Sequence, residues 1–152
     1  MNYTDTLINT YDDAAFQSAF RQYFGELGCR VTNWDGLFRE MSAAGTDYAW
    51  QRRDESGEVV GFIQFTTLEM KSWFFTAQCG FIREFWVKPG LRGQGQGSAL
   101  LQRAESWLRD QGCAYAILTT DTAPDFYLKR GYTLQKGVRA KNKDDVYIKP
   151  LA

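Results

Sequence analysis

The run Val87-Lys88-Pro89-Gly90-Leu91-Arg92-Gly93-Gln94-Gly95-Gln96-Gly97-Ser98 constrains this chain more than any other. Pro89-Gly90 stops a strand-like run, Phe81 to Val87. Beyond the glycines, Leu100, Leu101, Ala104, Trp107 and Leu108 form the apolar stripe of a helix over Gly97 to Asp110. A strand therefore passes through a glycine-rich loop into a helix start. Glycines let the backbone turn tightly and bring several N–H groups close to one ligand. The unpaired N–H groups and positive dipole end of the helix favour an anion. Arg92 adds a planar donor suited to phosphate. A pyrophosphate is a natural guest for such a loop.

The rest of the chain predicts a mixed α/β fold in one domain, residues 1–152. A short strand over Thr6 to Thr10 precedes a helix that Asp12 or Asp13 caps. Phe16, Phe20, Phe24 and Leu27 recur at helical spacing and Gly28 ends the run. A second helix covers Trp34 to Ala44. Strands follow at Tyr48 to Arg53 and Val59 to Leu68, around an Asp54–Gly57 turn. After the loop and its helix come a strand at Ala114 to Thr119 and a helix at Ala123 to Arg130. Strands at Tyr132 to Leu134 and Val146 to Ile148 complete the order.

Composition narrows the chemistry. There is no histidine, so Ser-His-Asp and Cys-His sites are excluded and the commonest transition-metal ligand is missing. Cys29, Cys79 and Cys113 are dispersed and odd in number, against a disulfide framework or a metal site. Eighteen basic and 18 acidic residues balance, against a general nucleic-acid binder. No run approaches the roughly 18 apolar residues of a membrane span, and no secretory signal is visible, so the chain reads as cytoplasmic.

Several readings of the loop compete. A P-loop needs Lys followed by Ser or Thr after its second glycine, and here Gln96 follows Gly95. A dinucleotide fold would use Gly93, Gly95 and Ser98 with Asp121 on the ribose, but it leaves too little chain for the remaining sheet. A plain glycine turn has no ligand. The loop also resembles motif A of the GNAT superfamily of N-acetyltransferases, with Arg92, Gly95 and Gly97 at its hallmark positions. Further along, Ala123-Pro124-Asp125-Phe126-Tyr127-Leu128-Lys129-Arg130-Gly131-Tyr132 resembles motif B of that family. The resemblance is firm over Phe81 to Leu134.

That resemblance implies a central, mixed, mostly antiparallel twisted sheet of about six or seven strands with about four flanking helices. It implies acetyl-CoA as cosubstrate, with no metal. Phe85, Trp86, Val87, Arg92, Gly93, Gln94, Gly95, Gln96, Gly97 and Ser98 would hold it, with Thr120, Phe126 and Lys129. Thr120 stands where the family often has Asn, and its hydroxyl can still donate and accept. The reaction implied is direct attack of a primary amine of a small molecule or peptide in a ternary complex. Tyr127 would protonate the thiolate and the Val87 N–H would meet the oxyanion. Tyr127 packing beside Phe126 in the core is the competing reading.

For the base, Glu84 is the candidate, acting through water. Strand alternation puts Ile82, Glu84 and Trp86 on one face and Phe81, Phe85 and Val87 on the other. Pairing of Glu84 with Arg83 or Lys88 is the alternative. Tyr23, Trp34, Phe38, Trp50 and Trp73 could wall an acceptor site, or simply pack. Two other function classes stay open, a non-catalytic acyl-CoA-binding module and a nucleotide-binding α/β domain. A homodimer is the family's frequent state.

Overall fold

A computed structural model describes residues 2–151. Among the described residues are four α-helices and seven strands, β1 (Thr4–Ile8), β2 (Tyr48–Arg53), β3 (Val59–Lys71), β4 (Thr76–Val87), β5 (Tyr115–Thr120), β6 (Thr133–Arg139) and β7 (Asp145–Pro150), hydrogen-bonded in the order β1-β2-β3-β4-β5-β7-β6. The chain divides into two compact units, Met1–Thr66 with Glu84–Ala104, and Thr67–Arg83 with Glu105–Ala152. Among the described residues no helix is long and apolar enough to cross a membrane.

The first unit begins with β1 (Thr4–Ile8), α1 (Ala14–Leu27), α2 (Trp34–Ala44) and β2 (Tyr48–Arg53). Asp13 caps α1 by accepting from the Ala15 N–H at 3.1 Å, and Gly28 closes it in the left-handed region at φ 73°. Asn33 caps α2 through the Gly36 N–H at 2.9 Å. β1 pairs antiparallel with β2, and β2 with β3 (Val59–Lys71) from Tyr48↔Phe65 to Arg53↔Val59. The aromatic stripe of α1 packs on this sheet. Phe16 and Phe20 lie 5.2 and 5.5 Å from Phe62, and Phe62 lies 5.8 Å from Trp86. Each such ring, taken fully from water, contributes about 1.5–3 kcal/mol. β4 (Thr76–Val87) ends in this unit, and a 3-10 turn (Pro89–Leu91) leads to α3 (Gln96–Asp110).

The second unit takes the far part of β3, the start of β4 and the end of α3. It adds β5 (Tyr115–Thr120), α4 (Pro124–Leu128), β6 (Thr133–Arg139) and β7 (Asp145–Pro150). β4 and β5 pair in parallel from Cys79↔Tyr115 to Phe81↔Ile117, and β7 lies antiparallel to β5 and to β6. Parallel neighbours need a crossover, and the loop with α3 supplies it.

The helices fall where the sequence places them, with α4 trimmed to Pro124–Leu128. Among the strands β2 keeps its expected bounds, β5 is displaced by one residue to Tyr115–Thr120, β7 widens to Asp145–Pro150, and four others differ further. β1 spans Thr4–Ile8, so Asn9 and Thr10 lie outside it. β3 runs on to Lys71 and β4 starts at Thr76, joined by a turn in which the Ser72 hydroxyl accepts from the Phe74 and Phe75 N–H groups. The β3 extension is exposed and carries no burial pattern for the sequence to reveal, while the β4 extension starts exposed at Thr76 and buries Cys79 and Gly80. β6 is longer than Tyr132 to Leu134 and mostly exposed, so its polar residues masked it.

Close packing in the second unit is tightest at Gly80. A methyl there would stand 2.7 Å from Leu108 Cδ2 and 2.9 Å from Cγ, and Leu108 is fully buried. Gly80→Ala is expected to destabilise the protein by about 1–3 kcal/mol. Urea denaturation followed by circular dichroism measures this, and an unchanged midpoint would refute the packing constraint.

Candidate active site

The first unit carries the glycine loop. At the end of β4 the Lys88 N–H donates to the Val60 carbonyl at 2.8 Å, tying the exit of β4 to β3. Gly93 and Gly95 adopt φ 77° and 84°, where a side chain would be strained. An added Cβ would meet nothing within 4 Å at either, so their outer faces are open. The first turn of α3 closes with the Ala99 N–H on the Gly95 carbonyl at 3.1 Å. The N–H groups of Gln96, Gly97 and Ser98 precede it and have no carbonyl within the helix to reach. This open, donor-rich backbone fits a pyrophosphate.

Side chains of the loop sit less simply than the sequence suggests. Arg92 donates from Nε to the Val87 carbonyl at 2.8 Å and from Nη2 to Glu26 at 2.7 Å. Three of its five N–H groups remain beyond those bonds. Gln96 is buried, and its Oε1 accepts from Arg52 Nη1 at 2.6 Å. The sequence reading makes Gln96 a cofactor contact; this bond engages its Oε1, and its backbone N–H stands among the open donors of the helix start. Gln94 is exposed and reaches the Gly90 carbonyl at 3.4 Å. Ser98 is half-buried.

The Gln96 anchor is part of a network. Arg52 grips Asp5 with two bonds, at 2.7 and 2.8 Å, and Arg103 adds a third at 2.7 Å. Burial pushes the Asp5 carboxyl up, but hydrogen bonds and charge from Arg52 and Arg103 outweigh it and hold the group below its ordinary 3.8. β1 and β2 thus hold the first residue of α3.

On β4, Glu84 is half-buried and accepts from the Tyr23 hydroxyl at 2.6 Å. Lys88 pairs with Glu58 at 2.7 Å, a different partner from Glu84. Trp86 is buried in the core, 4% exposed, and donates from Nε1 to Glu26 at 3.1 Å. Its ring is therefore committed to packing, and its backbone is what remains for a ligand. Phe85 and Val87, half-buried, alternate with it along the strand.

The second unit carries the other candidates. Tyr127 on α4 is buried between Phe126 and Tyr132, with ring centroids 5.1 and 5.7 Å away. Burial pushes its phenol up to about 12. Packing and a proton-donor role are compatible, because a buried phenol stays protonated. Tyr132 donates to Glu105 at 2.8 Å, and Lys149 Nζ reaches both Glu105 oxygens at 3.0 and 3.1 Å. The Tyr132 N–H also donates to the Tyr127 carbonyl at 3.1 Å. Thr120 Oγ1 accepts from the Ala123 N–H at 3.2 Å, so the hydroxyl shapes the turn into α4 and keeps its own proton to donate. Phe126 lies under the Arg130 guanidinium at 3.8 Å, and Lys129 is exposed.

The expected acceptor wall is largely packing. Trp34 and Phe38 stack at 5.6 Å and both pack around Phe20, as does Tyr23. Trp50 lies beneath Arg103 at 5.0 Å, and Trp73 is wholly exposed at the β3–β4 turn. Sequence reasoning misses Asp5, Glu26 and Arg52. For Glu26 the available signal is a carboxylate three residues after Tyr23, on a helix otherwise striped with phenylalanine.

A parallel β4–β5 pair, a glycine loop leading into α3 and a tyrosine-bearing α4 define the class. The acetyltransferase (GNAT) family model matches residues 7–132, and the chain belongs to that family. It is 30% identical over 91 residues to an aminoglycoside N(6')-acetyltransferase type 1 of Klebsiella aerogenes, covering 57% of this chain and 60% of that protein. It is 30% identical over 103 residues to a blasticidin-S acetyltransferase of Streptomyces morookaense, covering 66% and 67%. The chain thus spans about two thirds or less of these relatives' length. The fold matches a "predicted acetyltransferase" of Clostridium acetobutylicum solved with acetyl-CoA, TM-score 0.77 at 14% identity, covering 91% of this chain and 95% of that one. It also matches N-acetylglutamate synthase of Neisseria gonorrhoeae solved with coenzyme A and N-acetyl-glutamate, TM-score 0.70 at 15% identity, covering 98% and 35%.

The depressed Asp5 carboxyl makes the network pH-sensitive. Its stabilisation is fully present above 3.8 and is lost as pH falls through the lower folded value. Asp5→Asn is expected to cost about 1.5–3 kcal/mol near neutral pH, the range for hydrogen bonds to charged groups. The difference should shrink on acidification below about pH 4. Thermal unfolding of both proteins across the acid range measures this.

Proposed function

We propose that the protein is an N-acetyltransferase that moves the acetyl group of acetyl-CoA to a primary amine by direct attack in a ternary complex. The observation that carries this is Tyr127, whose buried phenol is kept protonated on a family-matched α4. Acetyl-CoA supplies a thioester whose carbonyl carbon accepts the amine and whose sulfur leaves. The N–H groups around Gly93 to Ser98 bind its pyrophosphate, aided by Arg92. The Val87 N–H stabilises the developing oxyanion. Glu84, held by Tyr23, takes the amine proton through water. Tyr127 gives its proton to the departing sulfur as the carbon–sulfur bond breaks. Thr120, Phe126 and Lys129 line the coenzyme's arm on this reading, and residues 1–152 act as one catalytic domain. Relatives named for an aminoglycoside and for blasticidin-S support a small-molecule amine as the acceptor.

The test is release of coenzyme A measured against a panel of amines. Tyr127→Phe should lower kcat by about a hundredfold or more, with KM for acetyl-CoA little changed. A wild type that binds acetyl-CoA but turns over on no amine would identify a binding module instead. The phenol's position also sets a pH signature. Activity should not fall through pH 10.0, the ordinary phenol value, because Tyr127 stays protonated up to about 12. An alkaline fall centred near 10.0 that vanishes in Tyr127→Phe would contradict the buried-acid assignment.

A further inference from the structure

Helix α1 presents two polar side chains on one turn, Tyr23 and Glu26, three residues apart and so on one face. Tyr23 holds Glu84, at 2.6 Å. Glu26 uses both carboxylate oxygens. Oε2 accepts from Trp86 Nε1 at 3.1 Å and Oε1 from Arg92 Nη2 at 2.7 Å. Arg92 has one further anchor, from Nε to the Val87 carbonyl at 2.8 Å. We infer that Glu26 is the positioning residue of the glycine loop, fixing the Arg92 guanidinium so that its remaining N–H groups are oriented before a diphosphate arrives. This rests on the reading of the loop as a coenzyme A site.

Arginine is long and flexible, and ordering it when a ligand binds costs conformational entropy. Two hydrogen bonds to fixed partners order it beforehand. Glu26 can do this because its other oxygen is tied to Trp86, whose ring is locked in the core. Its negative charge opposes a phosphate, but Arg92 is half exposed and Glu26 about a third exposed, so solvent screens that repulsion. Orientation therefore outweighs repulsion. Glutamine cannot replace the carboxylate fully. Its amide nitrogen only donates, so it can satisfy Trp86 or Arg92 and not both.

The experiment compares wild type, Glu26→Ala and Glu26→Gln with two donors, acetyl-CoA and S-acetylpantetheine, which lacks the diphosphate. Calorimetry with coenzyme A is expected to show about a fivefold rise in Kd for Glu26→Ala, the scale of a partly exposed ion pair, and a smaller rise for Glu26→Gln. The kcat/KM for S-acetylpantetheine should stay unchanged, which a general loss of structure would not allow. If Glu26→Ala folds poorly, Glu26→Gln makes the same comparison. Coenzyme A binding as tight as or tighter than wild type in the variants overturns the inference alone. Equal loss with both donors also overturns it, because the effect is then not at the diphosphate. A wild type that does not bind coenzyme A, or that uses both donors equally well, overturns the coenzyme reading of the loop and this inference with it.

Discussion

The chemistry of the first unit hangs on the burial of Phe20. Its ring lies 5.5 Å from Phe62 on β3, 5.7 Å from Phe16, 4.8 Å from Phe24 and 5.8 Å from Phe38 on α2. Truncating a buried phenylalanine costs about 3–5 kcal/mol, a sizeable part of the stability of a domain. The stronger point is geometric. With Phe20 seated, α1 has one rotation about its axis, and that rotation aims Tyr23 and Glu26 at β4. Glu84, Trp86 and Arg92 then take their places from hydrogen bonds that the apolar packing makes possible.

Polar groups inside each unit do a second kind of work. Asp5, Arg52, Arg103 and Gln96 close a network in which the Asp5 side chain is 4% exposed yet satisfied by three bonds. Glu105, Tyr132 and Lys149 do the same in the second unit. A buried charge left unpaired is costly, so these networks permit one arrangement and penalise others. The first fixes where α3 begins. The second fixes Tyr132, against which Tyr127 packs.

The sequence made the helices legible because caps and stops are local. Asp13 and Gly28 act within a turn of their own positions. The loop and α4 were legible for the same reason, since their glycines and aromatic pair stand in continuous runs. Strand ends were not, because the end of β3, the first residues of β4 and most of β6 are exposed and leave no apolar alternation. Side-chain commitments were the hardest. That Gln96 would turn inward to Arg52, and Trp86 into the core, depends on residues up to 60 positions away in sequence. No local pattern encodes such a choice.

The pairing of Arg92 with Glu26 also bears on how a polyanion would find the loop. A lone arginine projects a field that draws anions from a distance. A salt-bridged one is nearly neutral beyond contact range, and this chain has a formal net charge of zero. A polyanion approaching such a pair would feel less long-range attraction than one approaching a free arginine. On the reading of the loop as a coenzyme A site, recognition would rest on donors oriented at the moment of contact rather than on attraction from a distance.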